Sequence, residues 1–544
     1  MKRFLAIFIC LILLCAPLSG CSTKNKTTRV LRVCNCEDYI DEDLIAEFEE
    51  EFDCVVEYST FGTLENLYND IKITPDRYDL ICPSDYMIEK MAREGMLKKI
   101  DSYLINAVDY NQYVSPFIAQ TFESITWQNG SEQVSLADYA ICYMWGTLGL
   151  TFNPEYVSSE DMNSWGALWL DKYHNQSTIK DSIRDSYFIG IARAQQDVLI
   201  GLKEQLDAGN ISIEEYNDQL KIIFNDTSEE TVNNVEKVLK ELKDNIWGFE
   251  VDSGKNDIAS GKITINFAWS GDAVYAMDEA EKQGVELYYT VPEEGSNVWF
   301  DGWCVPKNAK NVELAVEFMN FLSRPEIVVR NMSYIGYTSG VGGQEVFDNA
   351  IDWYGACTLE ESELAYEDYM LLPKEEQDYY EVTNDQKVYE YIYIDTETIK
   401  EQDGNLYVNV LGVNEDGFLY NYDLEIYAID LSYFFGEGDW VIYVDTLGRQ
   451  FSAQYPTKDV IDRCVVMNCY NEEANIRVTQ MWERVKGFTF SNTVLIIIGC
   501  LVIACIIIGV LVKYREKLNI KITIKPRPNK NRQKYKVEKI EKIN

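Results

Sequence analysis

The 544-residue chain contains a single histidine, His174. A Ser-His-Asp catalytic centre would have to use it, and no Gly-x-Ser-x-Gly run accompanies it. A zinc site fares no better. There is no Cys-x-x-Cys pair, and the cysteine spacings fit no finger. Gly261-Lys262-Ile263-Thr264 lacks the spacing of a phosphate-binding loop. Basic residues are scarce, with 49 Lys and Arg against 89 Asp and Glu. Long internal repeats and low-complexity linkers are absent too. These gaps argue against an enzyme, a resident metal and a cofactor.

The N-terminus carries a clear signal. Lys2 and Arg3 precede an apolar run from Phe4 to Pro17, followed by Leu18-Ser19-Gly20-Cys21. This is the layout of a secretory signal peptide over residues 1–20. Small residues before a cysteine resemble the bacterial lipobox, which would leave Cys21 as a lipidated N-terminus on a polar tether, residues 21–29. Near the other end, residues 492–512 hold no charge and are dominated by Ile, Leu and Val. That length suffices for a transmembrane helix, which needs about 20 residues. The tail 513–544 has a net charge of +9 and is expected to stay cytoplasmic.

Taking that +9 and the +2 of the signal from the overall −40 leaves −51 for residues 21–512. A part of the chain this acidic excludes nucleic acid as a partner, because such binding needs a basic footprint. The same charge attracts cations over a distance that salt limits to about 10 Å. The chain also holds 37 Tyr and 11 Trp. Carboxylates together with aromatic faces suit organic cations. Nine cysteines fall between the lipidation site and the membrane span, an odd number, and most read as buried apolar residues.

Periodicity places a strand at Leu31–Cys36, a helix at Glu42–Phe52, a strand at Val55–Phe61 and a helix at Leu64–Ile73. A further strand at Tyr78–Cys82 and a helix at Asp85–Glu94 follow. Later helices are expected over Ser186–Leu206, Glu229–Leu242, Glu313–Leu322 and Lys458–Lys486. Strands at Gly149–Asn153 and Ile263–Trp269 complete the pattern. Strands alternating with helices give an α/β fold. Residues 358–430 differ: Tyr alternates with acidic and β-branched residues, and Gln402-Asp403-Gly404-Asn405 supplies a hairpin turn. This stretch reads as an inserted antiparallel β-element.

Several runs resemble the spermidine/putrescine-binding proteins of bacterial ABC importers. They include Asn35-Cys36-Glu37-Asp38-Tyr39, Tyr78 to Tyr86, Tyr143-Met144-Trp145-Gly146 and Ser164-Trp165-Gly166-Ala167-Leu168-Trp169. Phe267 to Ala273, Pro292 to Asp301, Asn320 to Pro325 and Ile335-Gly336-Tyr337 follow in family order. The resemblance implies a two-lobe periplasmic-binding-protein-like fold with ligand in the cleft. Lobe one would be residues 30–143 with a return at 301–345. Lobe two would be 144–300, and residues 346–487 would form a C-terminal segment.

It also implies ligand residues. Asp301 would grip an inner amine, and Trp299 and Trp269 would wall the stem. Tyr39, Tyr86 and Tyr337 would be cleft tyrosines and Ser84 a polar contact. Asp38 and Asp185 would meet terminal amines. Two departures alter the pocket: Cys36 replaces a cleft tryptophan, and Glu37 stands where a small or hydroxyl residue is usual. The implied partners are a polyamine, an ABC permease with its ATPase, and the membrane. The rival expectation is a membrane-anchored surface sensor or adhesion protein that binds another small organic cation.

Overall fold

The run Arg29–Cys36 buries Leu31, Val33, Cys34 and Asn35. Burial on successive strand residues means that both faces are covered, as in a parallel sheet flanked by helices. The computed structural model describes residues 29–100, 108–360, 391–394, 400–402, 405–413, 419–444, 451–487, 520–527 and 534–542. In it, this run is strand β1 (Arg29–Cys36), parallel to both β2 (Cys54–Phe61) and β3 (Leu80–Ile81). The helix Glu42–Phe52 crosses between β1 and β2. Asp41 caps it by accepting from the Asp43 amide at 3.1 Å, and Asp53 ends it in a left-handed conformation at φ 49°. Leu44 and Phe48 on its inner face are fully buried, which stabilises the fold by about 1.5–3 kcal/mol each.

A small hairpin, β4 (Thr126–Asn129) with β5 (Glu132–Ser135), precedes the long strand β6 (Ala140–Phe152), in which every residue is buried. A second parallel group follows: β7 (Ser177–Lys180) lies between β8 (Gly248–Glu250) and β9 (Ile265–Trp269). The strand β10 (Tyr288–Thr290) pairs with β6, as does β11 (Ser296–Cys304), and β12 (Thr338–Ser339) adds two residues to β6. The sheet therefore runs β2-β1-β3-β11-β6-β9-β7-β8. Two parallel groups are joined by the antiparallel pair β11 and β6.

Two expected helices are broken. Ser186–Leu206 divides into Ile183–Ala194 and Gln196–Asp207. At the break the Gln196 side chain donates its Nε2 to Ser164 Oγ at 2.9 Å and Glu294 Oε1 at 3.1 Å. Lys458–Lys486 divides into helices Lys458–Asp462 and Glu472–Lys486. Between them the backbone is extended because Cys464 and Val465 pair in parallel with Ser296 and Asn297 of β11.

Within 391–444 the strands β13 (Tyr391–Ile394), β14 (Lys400–Gln402), β15 (Asn405–Val413), β16 (Leu419–Asp430) and β17 (Val441–Val444) form one antiparallel sheet. Gln402 pairs with Asn405 across the expected turn, whose Asp403 and Gly404 lie outside the described residues. Tyr443 and Cys357 exchange two backbone hydrogen bonds, 3.1 and 2.9 Å. The pair Cys464–Val465 is β18. In the separate C-terminal unit, β19 (Ile520–Arg527) and β20 (Lys534–Lys542) pair antiparallel.

The signal segment, Cys21 and residues 492–512 lie outside the described residues. Among the described residues no helix is long and apolar enough to cross a membrane. Among the described residues no disulfide joins the nine cysteines of residues 29–487, six of which are buried.

Candidate functional site

Strand β11 reads Ser-Asn-Val-Trp-Phe-Asp-Gly-Trp-Cys, and all nine residues are buried. One acid in such a run is costly unless something compensates. The register with β6 slips between Asp301 and Gly302, a bulge that re-aims the Asp301 side chain. Its Oδ1 accepts from Ser84 Oγ at 2.6 Å and its Oδ2 from the Tyr39 hydroxyl at 2.8 Å. Burial pushes its carboxyl up to about 6; the Ser84 and Tyr39 hydrogen bonds oppose this, and the Asp185 charge adds to it. Among the described residues no Lys or Arg forms an ion pair with Asp301. Asp301 is 7% exposed, so its charge is nearly out of water with only neutral donors beside it.

Aromatic rings wall this carboxylate. Tyr39 stands edge-on to Tyr143 and to Tyr337, with centroids 5.5 and 4.9 Å apart. Trp299 lies 5.7 Å from Tyr337. Two glycines make room for these rings. A Cβ on Gly146 would fall 2.7 Å from the Trp299 ring, and one on Gly271 would collide with the Tyr337 ring. The Trp299 indole N–H is buried and has no hydrogen-bond partner among the described residues.

A second charged group adjoins the first. Tyr337 donates its hydroxyl to Asp272 at 2.8 Å. Lys180 Nζ lies 2.8 Å from the other oxygen of Asp272, 3.1 Å from Glu250 and 4.2 Å from the centre of the Trp269 ring. Burial works against the Lys180 charge, but Asp272 and Glu250 outweigh it and hold the ammonium above its usual range. Burial likewise opposes ionisation of Asp272, and Lys180 and Lys255 overcome it, so this carboxyl sits below its usual range.

Asp185 sits in the first turn of the helix Ile183–Ala194, whose cap Ser182 accepts from its amide at 3.3 Å. Burial raises its carboxyl, against the effects of Ser182, Lys180, Trp269 and Arg184. Tyr86 is half-buried. The Arg184 guanidinium stacks 4.2 Å from its centroid and 3.6 Å from that of Tyr470, and donates to the Asn468 carbonyl at 2.7 Å. Asp85 is buried and accepts from the amides of Tyr86 and Phe300 at 2.5 and 3.2 Å. Burial pushes it up to about 8, so it is largely protonated at pH 7.

Residues 43–341 match the family described as bacterial extracellular solute-binding protein. The chain belongs to that family. Among relatives of this solute-binding protein is the spermidine/putrescine-binding periplasmic protein of Escherichia coli K12. It is 27% identical over 307 residues, covering 56% of this chain and 75% of the relative. The spermidine/putrescine-binding periplasmic protein 1 of Haemophilus influenzae is 25% identical over 367 residues, 64% of this chain and 89% of the relative. A solved ABC-transporter structure from Listeria monocytogenes, assigned to spermidine/putrescine, shares the fold. Its TM-score is 0.53 at 22% identity, covering 84% of this chain and 99% of that one. The fold is thus α/β and periplasmic-binding-protein-like, and a solute-binding protein of this kind is not an enzyme.

In this solute-binding protein, Tyr39, Ser84, Trp299, Asp301 and Tyr337 form one connected group. Trp269 joins it through Lys180, Asp272 and Tyr337, and Asp185 through its field on Asp301. Asp38 does not join. It is exposed at φ 52°, with Lys255 as its ion-pair partner 3.8 Å away. Glu37 is exposed as well. Cys36 is half-buried, its thiol raised first by burial and then by the Asp301 charge. Lys180, Glu250, Asp272 and Asp85 are not among the site residues expected from the sequence. For Asp272 a signal existed: it lies three residues past Trp269, in the first turn of the helix Ser270–Glu281. For Lys180 the signal was a lysine closing the short strand Ser177–Lys180, every residue of which is buried.

Proposed function

We propose that the chain is the extracytoplasmic solute-binding subunit of an ABC importer, which captures a polyamine, putrescine or spermidine, and delivers it to a permease and its ATPase. The observation that carries this is Asp301: a buried carboxylate held by two neutral hydroxyls, without a cationic partner, and walled by Tyr39, Trp299 and Tyr337. A ligand ammonium supplies the missing charge, and its methylene stem lies along the rings. The names carried by the relatives support the same solute class. The ligand set on this reading is Asp301, Trp299, Trp269, Tyr337, Asp185, Ser84, Tyr86 and Tyr39; Asp38, exposed and paired with Lys255, stands apart from it.

The two parallel strand groups would be the cores of two lobes, residues 30–143 with 301–345 and residues 144–300. The cleft would open between them. Residues 1–20 would be removed as a signal, Cys21 lipidated, and residues 492–512 would cross the membrane with the 513–544 tail in the cytoplasm. Two attachments would hold the domain near its permease and raise its effective concentration there. Calorimetry of the purified full-length chain tests the solute. Putrescine or spermidine is expected to bind, and the Asp301→Asn variant to bind roughly 10- to 100-fold more weakly, as fits loss of a charge-assisted hydrogen bond of about 1.5–3 kcal/mol. No heat and no thermal shift with either amine would remove the polyamine from the reading.

A further inference from the structure

One ammonium in this interior belongs to the protein itself. Lys180 ends β7 with its side chain fully buried. Its Nζ sits between Asp272 and Glu250 at 2.8 and 3.1 Å and 4.2 Å from the Trp269 ring centre. Two carboxylates and an indole face around a desolvated cation are what a cleft offers to one end of an organic amine. Here that offer is already taken. The Lys180 cage and Asp301 are neighbours, because Tyr337 donates to Asp272 while its ring packs against Tyr39, whose hydroxyl donates to Asp301.

We propose that Lys180 is the specificity-determining residue of the cleft: its ammonium occupies the Trp269–Asp272–Glu250 cage in place of a ligand amine, so the protein takes a diamine and rejects a triamine. The inference rests on the polyamine reading and narrows it. The charges that remain agree with it. Asp272 and Glu250 are engaged by Lys180. Asp85, Asp301 and Asp185 have no ion pair to any Lys or Arg among the described residues; Asp85 is tied to the amides of Tyr86 and Phe300, which leaves Asp301 and Asp185 to meet the two ends of a diamine. A third ammonium would have to lie beside Lys180, and like charges at close range in a buried site repel strongly. On this narrower reading two residues of the ligand set, Trp269 and Tyr86, present their ring faces to the protein's own Lys180 and Arg184 and only border the ligand.

Calorimetric titration of the full-length chain with putrescine and with spermidine tests this, using the wild type, Lys180→Thr and Lys180→Arg. The wild type is expected to bind putrescine at least tenfold more tightly than spermidine. Lys180→Thr frees the cage and should tighten spermidine at least tenfold, closing or reversing the ratio. Lys180→Arg keeps a cation and should keep the discrimination. A lysine that only held the sheet together would weaken both amines by one factor and leave the ratio alone; that result overturns the proposal. A wild type that binds the two amines equally overturns it as well, without any variant having to fold, and leaves the polyamine reading standing. A wild type that binds neither amine removes that reading, and this inference with it.

Discussion

The Asp301 carboxyl ties ligand affinity and bare stability to pH in opposite directions. Its folded value is about 6, against an ordinary 3.8. The ligand-free folded state therefore binds a proton more tightly than the unfolded chain does. The stability contributed by this group is fully present below pH 4 and is lost as pH rises through about 6. A shift of roughly 2 units corresponds to about 3 kcal/mol, an upper figure for a single buried group. A cationic ligand works the other way, because it needs the ionised form. About nine-tenths of Asp301 is ionised at pH 7 and about one-tenth at pH 5, so affinity should fall roughly tenfold over those two units. Thermal melts and calorimetry at half-unit steps from pH 4.5 to 7.5 read both. The unliganded Tm should fall across this window relative to Asp301→Asn, while the ligand-induced Tm shift grows. In Asp301→Asn both trends should flatten, and the slope that remains includes the other carboxyls raised by burial, Asp185, Asp85 and Glu294. A wild-type affinity that is flat between pH 5 and 7 would refute the view that an ionised Asp301 is the ligand's partner.

Tyr39→Phe removes one of the two donors that favour the ionised Asp301, so the midpoint of the affinity profile should move to higher pH, with a loss of about 0.5–1.5 kcal/mol in binding at pH 7 by calorimetry. Asp38→Asn should change amine affinity less than threefold in the same titration, since Asp38 is exposed and its 3.8 Å pair with Lys255 is worth about 0–1 kcal/mol. Gly271→Ala should weaken binding while leaving the far-ultraviolet circular dichroism spectrum unchanged, because the added methyl displaces the Tyr337 ring. Trp303→Ala should cost about 3–5 kcal/mol in urea unfolding, since that indole is wholly buried against Tyr143 and Phe318.

Local pattern was enough for much of the fold. Helices Glu42–Phe52 and Leu64–Ile73 end where their capping residues and apolar spacing say they should. The break at Gln195 was not legible, since no Gly or Pro marks it, and the Gln196 side chain beside it bonds to Glu294, 98 residues away. The extended stretch at Cys464 has the same kind of cause, a partner strand distant in sequence. The site divides in the same way. Asp301 is conspicuous as an acid in an apolar run, but its donors Tyr39 and Ser84 lie 262 and 217 residues away, and family likeness, not periodicity, brought them together. Lys180 and Glu250 escaped notice because each ends a short strand among ordinary acidic and basic neighbours. Only the parallel pairing of β7 with β8, Lys180 opposite Glu250, reveals them as partners.

The pairing of β18 with the first residues of β11 sets an order on the birth of the molecule. When Ser296 and Asn297 leave the ribosome, the groups that will satisfy them do not yet exist. Ser296 donates to the Arg463 carbonyl at 3.1 Å and the Asn297 side chain to the Val465 carbonyl at 2.9 Å. The strand that carries Trp299 and Asp301 thus waits about 170 residues for its last neighbour, with the whole β13–β17 element synthesised in between. A chain stopped before Arg463 would hold the ligand residues and still lack the strand that finishes their sheet.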